Sequence, residues 1–197
     1  MDIQAIELPA TPAIRRKQLE ALHDLANYSR MSRKPFWLAG GWAVEALTGK
    51  ADGRIHSGLD LLLFRADFSA LHSYLMRKRF KLQSEQYHGF TSVKYCGGSF
   101  LCLRFVFLDW EDGKLVTYLP DDTVYWPCED PYKLPEVMLG GKPVPVFDWE
   151  MVFAHLELVK HLDPQKRESP DIGIIEENVK AARRKAIAKA LIVPYEQ

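Results

Sequence analysis

Phe36 to Phe64, FWLAGGWAVEALTGKADGRIHSGLDLLLF, decides the fold. Phe36-Trp37-Leu38-Ala39 has the length and apolar character of a short buried strand, and Gly40-Gly41 supplies a turn open to backbone angles that other residues avoid. Trp42 to Thr48 then reads as a helix that closes near Gly49, where glycine suits the left-handed C-terminal conformation. Leu59 to Phe64 is a continuous apolar run around a single acid, Asp60, as a central strand should be. The connection between helix and second strand carries the polar residues Arg54, His56 and Ser57.

On the N-terminal side, Leu19, Leu22, Leu25, Ala26 and Met31 recur at helical spacing behind Pro12, which predicts a packing helix over Ala13 to Met31. On the C-terminal side, Asp67 is expected to cap a helix from Phe68 to Arg79 whose basic trio Arg77, Lys78 and Arg79 suits a solvated helix end. Four strands are predicted next, over Lys81 to Glu85, Gly89 to Tyr95, Phe100 to Trp110 and Lys114 to Leu119, with Glu111-Asp112-Gly113 turning the last pair. Residues 120–135 hold four prolines among aromatic residues and read as a long irregular loop over a site. Val144 to Phe147 is expected as an edge strand, Asp148 as the cap of a helix to about Leu162, and Ile172 to Ile192 as a final helical region. The expectation is a domain over residues 1–150 and a helical segment over 151–197 packed on it.

The bulk composition restricts the partners. Among 197 residues, 26 Lys and Arg balance 26 Asp and Glu, which gives no electrostatic reason to expect nucleic acid or an anionic membrane. No apolar run reaches the length of a membrane span, and the N-terminus lacks the basic-then-apolar order of a signal peptide, so a cytoplasmic location is expected. Cys96, Cys102 and Cys128 are odd in number and lack a Cys-x-x-Cys spacing, so they are expected as buried thiols rather than a zinc site or a disulfide framework.

Gly40-Gly41-Trp42 at a helix start, Arg54-x-His56, and an acid two residues into the next strand resemble the aminoglycoside and lincosamide nucleotidyltransferases, part of the polymerase-beta-like superfamily. The later segments FLCLRFVFLDWEDGKLVTYLP and LGGKPVPVFDWE follow in the family's order, so the similarity extends from Phe36 to about Ile175. The resemblance implies an α+β fold: a mixed sheet flanked by helices, with a helical C-terminal part. It also implies a Mg²⁺ site, because that family carries Asp-x-Asp on this strand, and carboxylates at i and i+2 share one face and hold the metal against a triphosphate. Here the pair reads Gly58-Leu59-Asp60. The turn that follows the later strand aligns Arg104 with the family's third aspartate. Asp109 does not replace it, since five residues along a strand is about 16 Å and an odd offset turns the side chain to the other face.

These departures lead to an expectation of metal-free chemistry. An Asp60–Arg104 ion pair is expected across neighbouring strands, either neutralising an old cavity or orienting the polar end of a ligand. Arg104, Asp60 and His56 are the catalytic candidates, with Gly40, Gly41, Trp42, Arg54, Ser57 and Trp126 as substrate-binding residues and no metal ligand. Gly40-Gly41 is also a candidate backbone anion site. His56 serves equally well as a hydrogen-bonded structural residue, and Glu45, one turn into the helix, is read as structural, its carboxylate suiting the helix N-terminal dipole. The expected function is a cyclase or isomerase acting without cofactor on a small, largely apolar metabolite, as a monomer or homodimer. The alternatives are an adenylyltransferase using ATP and Mg²⁺ on an aminoglycoside-like hydroxylated molecule, and a non-catalytic member of the family.

Overall fold

A computed structural model describes residues 12–49, 56–83, 92–97, 101–163 and 170–194. Arg54 therefore lies outside the described residues. Helix α1 (Pro12–Ser32) leads into strand β1 (Phe36–Ala39), helix α2 (Gly40–Thr48) and strand β2 (Leu59–Phe64), the order that the opening stretch predicts. Strand β2 lies antiparallel to β1 and parallel to β5 (Cys102–Glu111), with Asp60 opposite both Ala39 and Arg104. Two parallel neighbours inside an otherwise antiparallel sheet make the architecture α+β with a mixed sheet, as expected.

The long strand β5 organises the rest. Its first half pairs antiparallel with β4 (Ser92–Cys96), which in turn carries β3 (Lys81–Gln83). Its last residues pair with β6 (Lys114–Tyr118) through the tight turn at Asp112 and Gly113, both at positive φ. Alternation along β5 sets the two faces: Leu103, Phe105 and Phe107 are buried, whereas Cys102, Arg104 and Val106 are half-buried. Phe105 meets Tyr95 edge-on at 5.9 Å, and both rings are fully buried. Each such ring stabilises the sheet by about 1.5–3 kcal/mol through the water it releases.

Three local expectations change. Asp67 does not cap helix α3 (Phe68–Arg77): it ends a 3-10 turn over Arg65–Asp67, and its carboxylate accepts from Lys34 Nζ at 2.6 Å. The proline-rich segment is more ordered than a loop, because Asp122–Tyr125 forms strand β7 beside β6. Val144 does sit in a strand, but in the short β8 (Glu136–Leu139) and β9 (Lys142–Pro145) hairpin, which adjoins β1 through Leu38 and Val146.

At the C-terminal end, Asp148 caps α4 (Trp149–Leu162) by accepting from the Met151 amide at 2.9 Å. The predicted last helix is broken into α5 (Ile172–Asn178) and α6 (Ala181–Ala190), with extended Val179 between them. The chain then returns as strand β10 (Ile192–Pro194), antiparallel to β7 at the sheet edge, so this segment completes the sheet rather than only packing on it. No helix of the described residues is long and apolar enough to cross a membrane.

Candidate functional site

The parallel register of β2 and β5 aligns Asp60 with Arg104, and the antiparallel register of β4 aligns Lys94 with Arg104. Side chains directly opposite one another share a face, so Ala39, Asp60, Arg104 and Lys94 form one rung across four strands. Arg104 donates from Nε to Asp60 Oδ1 at 2.6 Å and from Nη2 to Asp60 Oδ2 at 3.1 Å. That fork is the bidentate geometry in which a guanidinium binds a carboxylate most firmly. Nη2 also reaches Ser57 Oγ at 3.3 Å. About a quarter of each side chain remains exposed, 28% for Arg104 and 25% for Asp60, so the pair is partly open to solvent rather than sealed in the core.

The glycine turn exists to let this pair and a histidine come close. Gly40 has φ +62°, and a Cβ there would lie 2.5 Å from Asp60 Oδ2. A Cβ on Gly41 would lie 2.5 Å from His56 Nδ1 and 3.3 Å from Asp171 Oδ2. Asp60, His56 and Asp171 thus crowd the start of α2, where backbone N–H groups favour negative charge. The expected backbone anion site at Gly40 and Gly41 is packed by these side chains.

His56 is held by a buried polar network. Its Nε2 lies 3.3 Å from Glu45 Oε2, and its carbonyl accepts from Gln18 Nε2 at 2.9 Å. Glu45, 3% exposed, also accepts from Arg15 Nη1 at 2.9 Å and from Arg15 Nη2. Trp42 braces the group: its indole N–H donates to Gln18 at 3.2 Å, its ring lies 4.9 Å from that of His56, and Arg15 sits 4.7 Å over it. Trp42 is fully buried among His56, Gln18 and Arg15.

Trp126, expected among the substrate-binding residues, lies away from this rung. It is buried beyond β6, with its indole N–H on Thr117 Oγ1 at 2.9 Å and its ring against Phe147. Asp109 is likewise engaged elsewhere, with Arg65 Nε at 2.9 Å. Arg15, Gln18 and Asp171 escaped the sequence reading, because nothing in helical periodicity shows which polar residues turn inward. His155 on α4 is 8% exposed, and burial pushes its pKa below the usual histidine value, with Asp60 opposing and Arg104 adding to that effect.

The donor set does not fit the two-carboxylate metal site that the resemblance implies. Mg²⁺ needs near-octahedral oxygen ligands, yet both oxygens of Asp60 are already bonded to a guanidinium. Continuing the β2–β5 register by one residue places Gly58 opposite Cys102. A Cβ at Gly58 would sit 2.6 Å from the Cys102 carbonyl oxygen, so β5 stands too close for any side chain there. Among the described residues no cluster of three or more His, Cys, Asp or Glu is arranged to hold a metal ion.

The fold is that of a nucleotidyltransferase. Residues 21–171 match the family model described as aminoglycoside-2''-adenylyltransferase, and the chain belongs to that family. Among solved structures, the solution structure of the antibiotic-resistance factor ANT(2'')-Ia has a TM-score of 0.66 at 18% identity, over 89% of this chain and 91% of that one. A crystal structure of ANT(2'')-Ia with adenylyl-2''-tobramycin has a TM-score of 0.64 at 18% identity, over 88% and 96%. The lincomycin-bound lincosamide antibiotic adenylyltransferase LnuA has a TM-score of 0.56 at 16% identity, over 87% and 96%. No curated protein sequence matches the chain.

These findings overturn the expectation of a cofactor-free cyclase or isomerase on an apolar metabolite, since the family is one of adenylyltransferases. The structure supplies the physical reason. Phe105, Phe107 and Trp126 are buried in the core and line no apolar pocket for a metabolite, while Asp60, Arg104, Ser57 and Lys94 give the half-buried face of the sheet a polar, charged character.

Proposed function

We propose that the protein binds an adenine nucleotide and a small hydroxylated molecule in the cleft of its family, without the two-carboxylate, metal-dependent adenylyl transfer. The Asp60–Arg104 fork carries this reading, because it leaves a fixed donor–acceptor pair where the resemblance implies a metal. A guanidinium beside a carboxylate offers hydrogen bonds of both senses, which suits phosphate oxygens and vicinal hydroxyls alike. Lys94 on the same rung adds positive charge for an anionic ligand. A cytoplasmic monomer or homodimer, with no nucleic-acid or membrane partner, belongs to the same reading.

Adenylyl transfer itself is the second reading, favoured by the family match over residues 21–171 and by the likeness to a structure holding an adenylylated aminoglycoside. Pyrophosphate release from ATP and Mg²⁺, measured across a panel of aminoglycosides and lincosamides, separates the two. The proposal expects release at the rate of a no-acceptor control. Turnover that depends on acceptor and disappears in EDTA would establish the second reading and reject the first.

A further inference from the structure

The rung next to Asp60–Arg104 holds Gly58, Cys102 and Cys96, since Cys96 lies opposite Cys102 in the antiparallel β4–β5 ladder. The two sulfurs are 2.8 Å apart. The neighbouring Gly97 amide donates to the Leu101 carbonyl at 3.0 Å, so Gly97 and Leu101 form a hydrogen-bonded position and Cys96 and Cys102 the non-hydrogen-bonded position beside it. At such a position the Cα atoms stand about 4.5 Å apart, with the side chains leaning together. That separation falls within the roughly 4.4–6.8 Å that a disulfide spans, so a bond needs no backbone movement. Both cysteines are half-buried, on the same partly open face of the sheet as Arg104.

We infer that Cys96 and Cys102 are a redox modification site, a cross-strand dithiol that closes to a disulfide by exchange with a small-molecule disulfide. One thiolate attacks the incoming disulfide, forms a mixed disulfide and releases one small thiolate. The second cysteine thiolate then attacks the protein sulfur of that mixed disulfide and releases the other. Two protein thiols are oxidised, the small disulfide is reduced to two thiols, and the two protons pass to the leaving groups. Arg104 and Lys94 on the adjacent rung favour an anionic reagent such as glutathione disulfide. Cys128 is an internal control: burial pushes its thiol up to about 11, which keeps it protonated and slow to react. The odd count of cysteines hid the pair, because only the hairpin register brings residues 96 and 102 face to face.

The experiment treats the reduced full chain with glutathione disulfide, then counts alkylatable thiols by intact mass and maps peptides without reduction. Two of the three thiols are expected to be lost, with the mass lower by two hydrogens, a Cys96–Cys102 linked peptide, and full recovery in dithiothreitol. Cys96→Ser and Cys102→Ser are each expected to stop at a glutathione adduct on the remaining partner. Three alkylatable thiols after treatment, a stable glutathione adduct on the wild-type chain, or a link through Cys128 would overturn the inference. The wild-type measurement decides it even if a serine variant fails to fold.

Discussion

Removing the Asp60–Arg104 pair one partner at a time tests whether it is built into the fold. Exposed ion pairs contribute about 0.2–1 kcal/mol, whereas orphaning one partner of a buried pair costs about 3–5 kcal/mol. At 28% and 25% exposure, with bidentate geometry, the pair falls between these limits. Arg104→Met should therefore cost about 2 kcal/mol, since it leaves a carboxylate against the start of α2 and beside β5 without its counter-charge. The double variant Asp60→Asn, Arg104→Met leaves no orphan and should lie within about 1 kcal/mol of wild type, giving a coupling of at least about 1 kcal/mol in the double-mutant cycle. Urea denaturation reads this directly: with a slope of about 2 kcal/mol per molar, Arg104→Met shifts the midpoint by about 1 M and the double variant by less than half of that. A coupling within about 0.3 kcal/mol of zero would refute the argument, because it would mean that the two side chains do not stabilise one another in solution.

Restoring the first carboxylate should fail. Gly58→Asp puts a Cβ 2.6 Å from the Cys102 carbonyl and is expected to destabilise by about 1–3 kcal/mol without conferring a Mg²⁺-dependent rise in melting temperature; a stable variant that gains one would show that β5 yields easily. His155 should impose an acid limb on stability. Its folded-state pKa lies below the ordinary 6.5, so the unfolded chain binds more protons, and stability is intact above 6.5 and falls as the pH drops toward the folded value, by up to about 1.4 kcal/mol per unit. His155→Gln should flatten that limb in pH-dependent urea melts, and an unchanged slope would place the titration elsewhere. Trp126→Phe removes the bond to Thr117 and should cost about 1–2 kcal/mol of stability while leaving ligand affinity unchanged; loss of affinity in a folded variant would return Trp126 to the site.

The strand–turn–helix–strand unit was legible because each of its steps is local: apolar run length, a glycine turn and a helix stop at Gly49. The Asp60–Arg104 pair was reachable only through the resemblance, which supplied a register between strands more than forty residues apart. What stayed illegible depends on that same long-range register. The inward turn of Arg15 and Gln18 to Glu45 and His56 joins α1 to the loop before β2, and no periodicity in either segment announces it. Trp126 looked like a site residue because its proline-rich surroundings resemble a covering loop, but pairing of β7 with β6 and β10 draws it into the core. The final strand was hidden because Ile192 to Pro194 is too short to show an alternation, and it is extended only where β7 offers an edge.

A fixed cation, and not a metal, is expected to meet the ligand at this site. Titration calorimetry with ATP in EDTA, and again in millimolar Mg²⁺, distinguishes the two. Binding is expected in both buffers with dissociation constants within about threefold, a difference of less than about 0.7 kcal/mol. Binding that appears only with Mg²⁺, or tightens more than tenfold with it, would contradict the claim, and the absence of binding in both would reject the nucleotide as ligand.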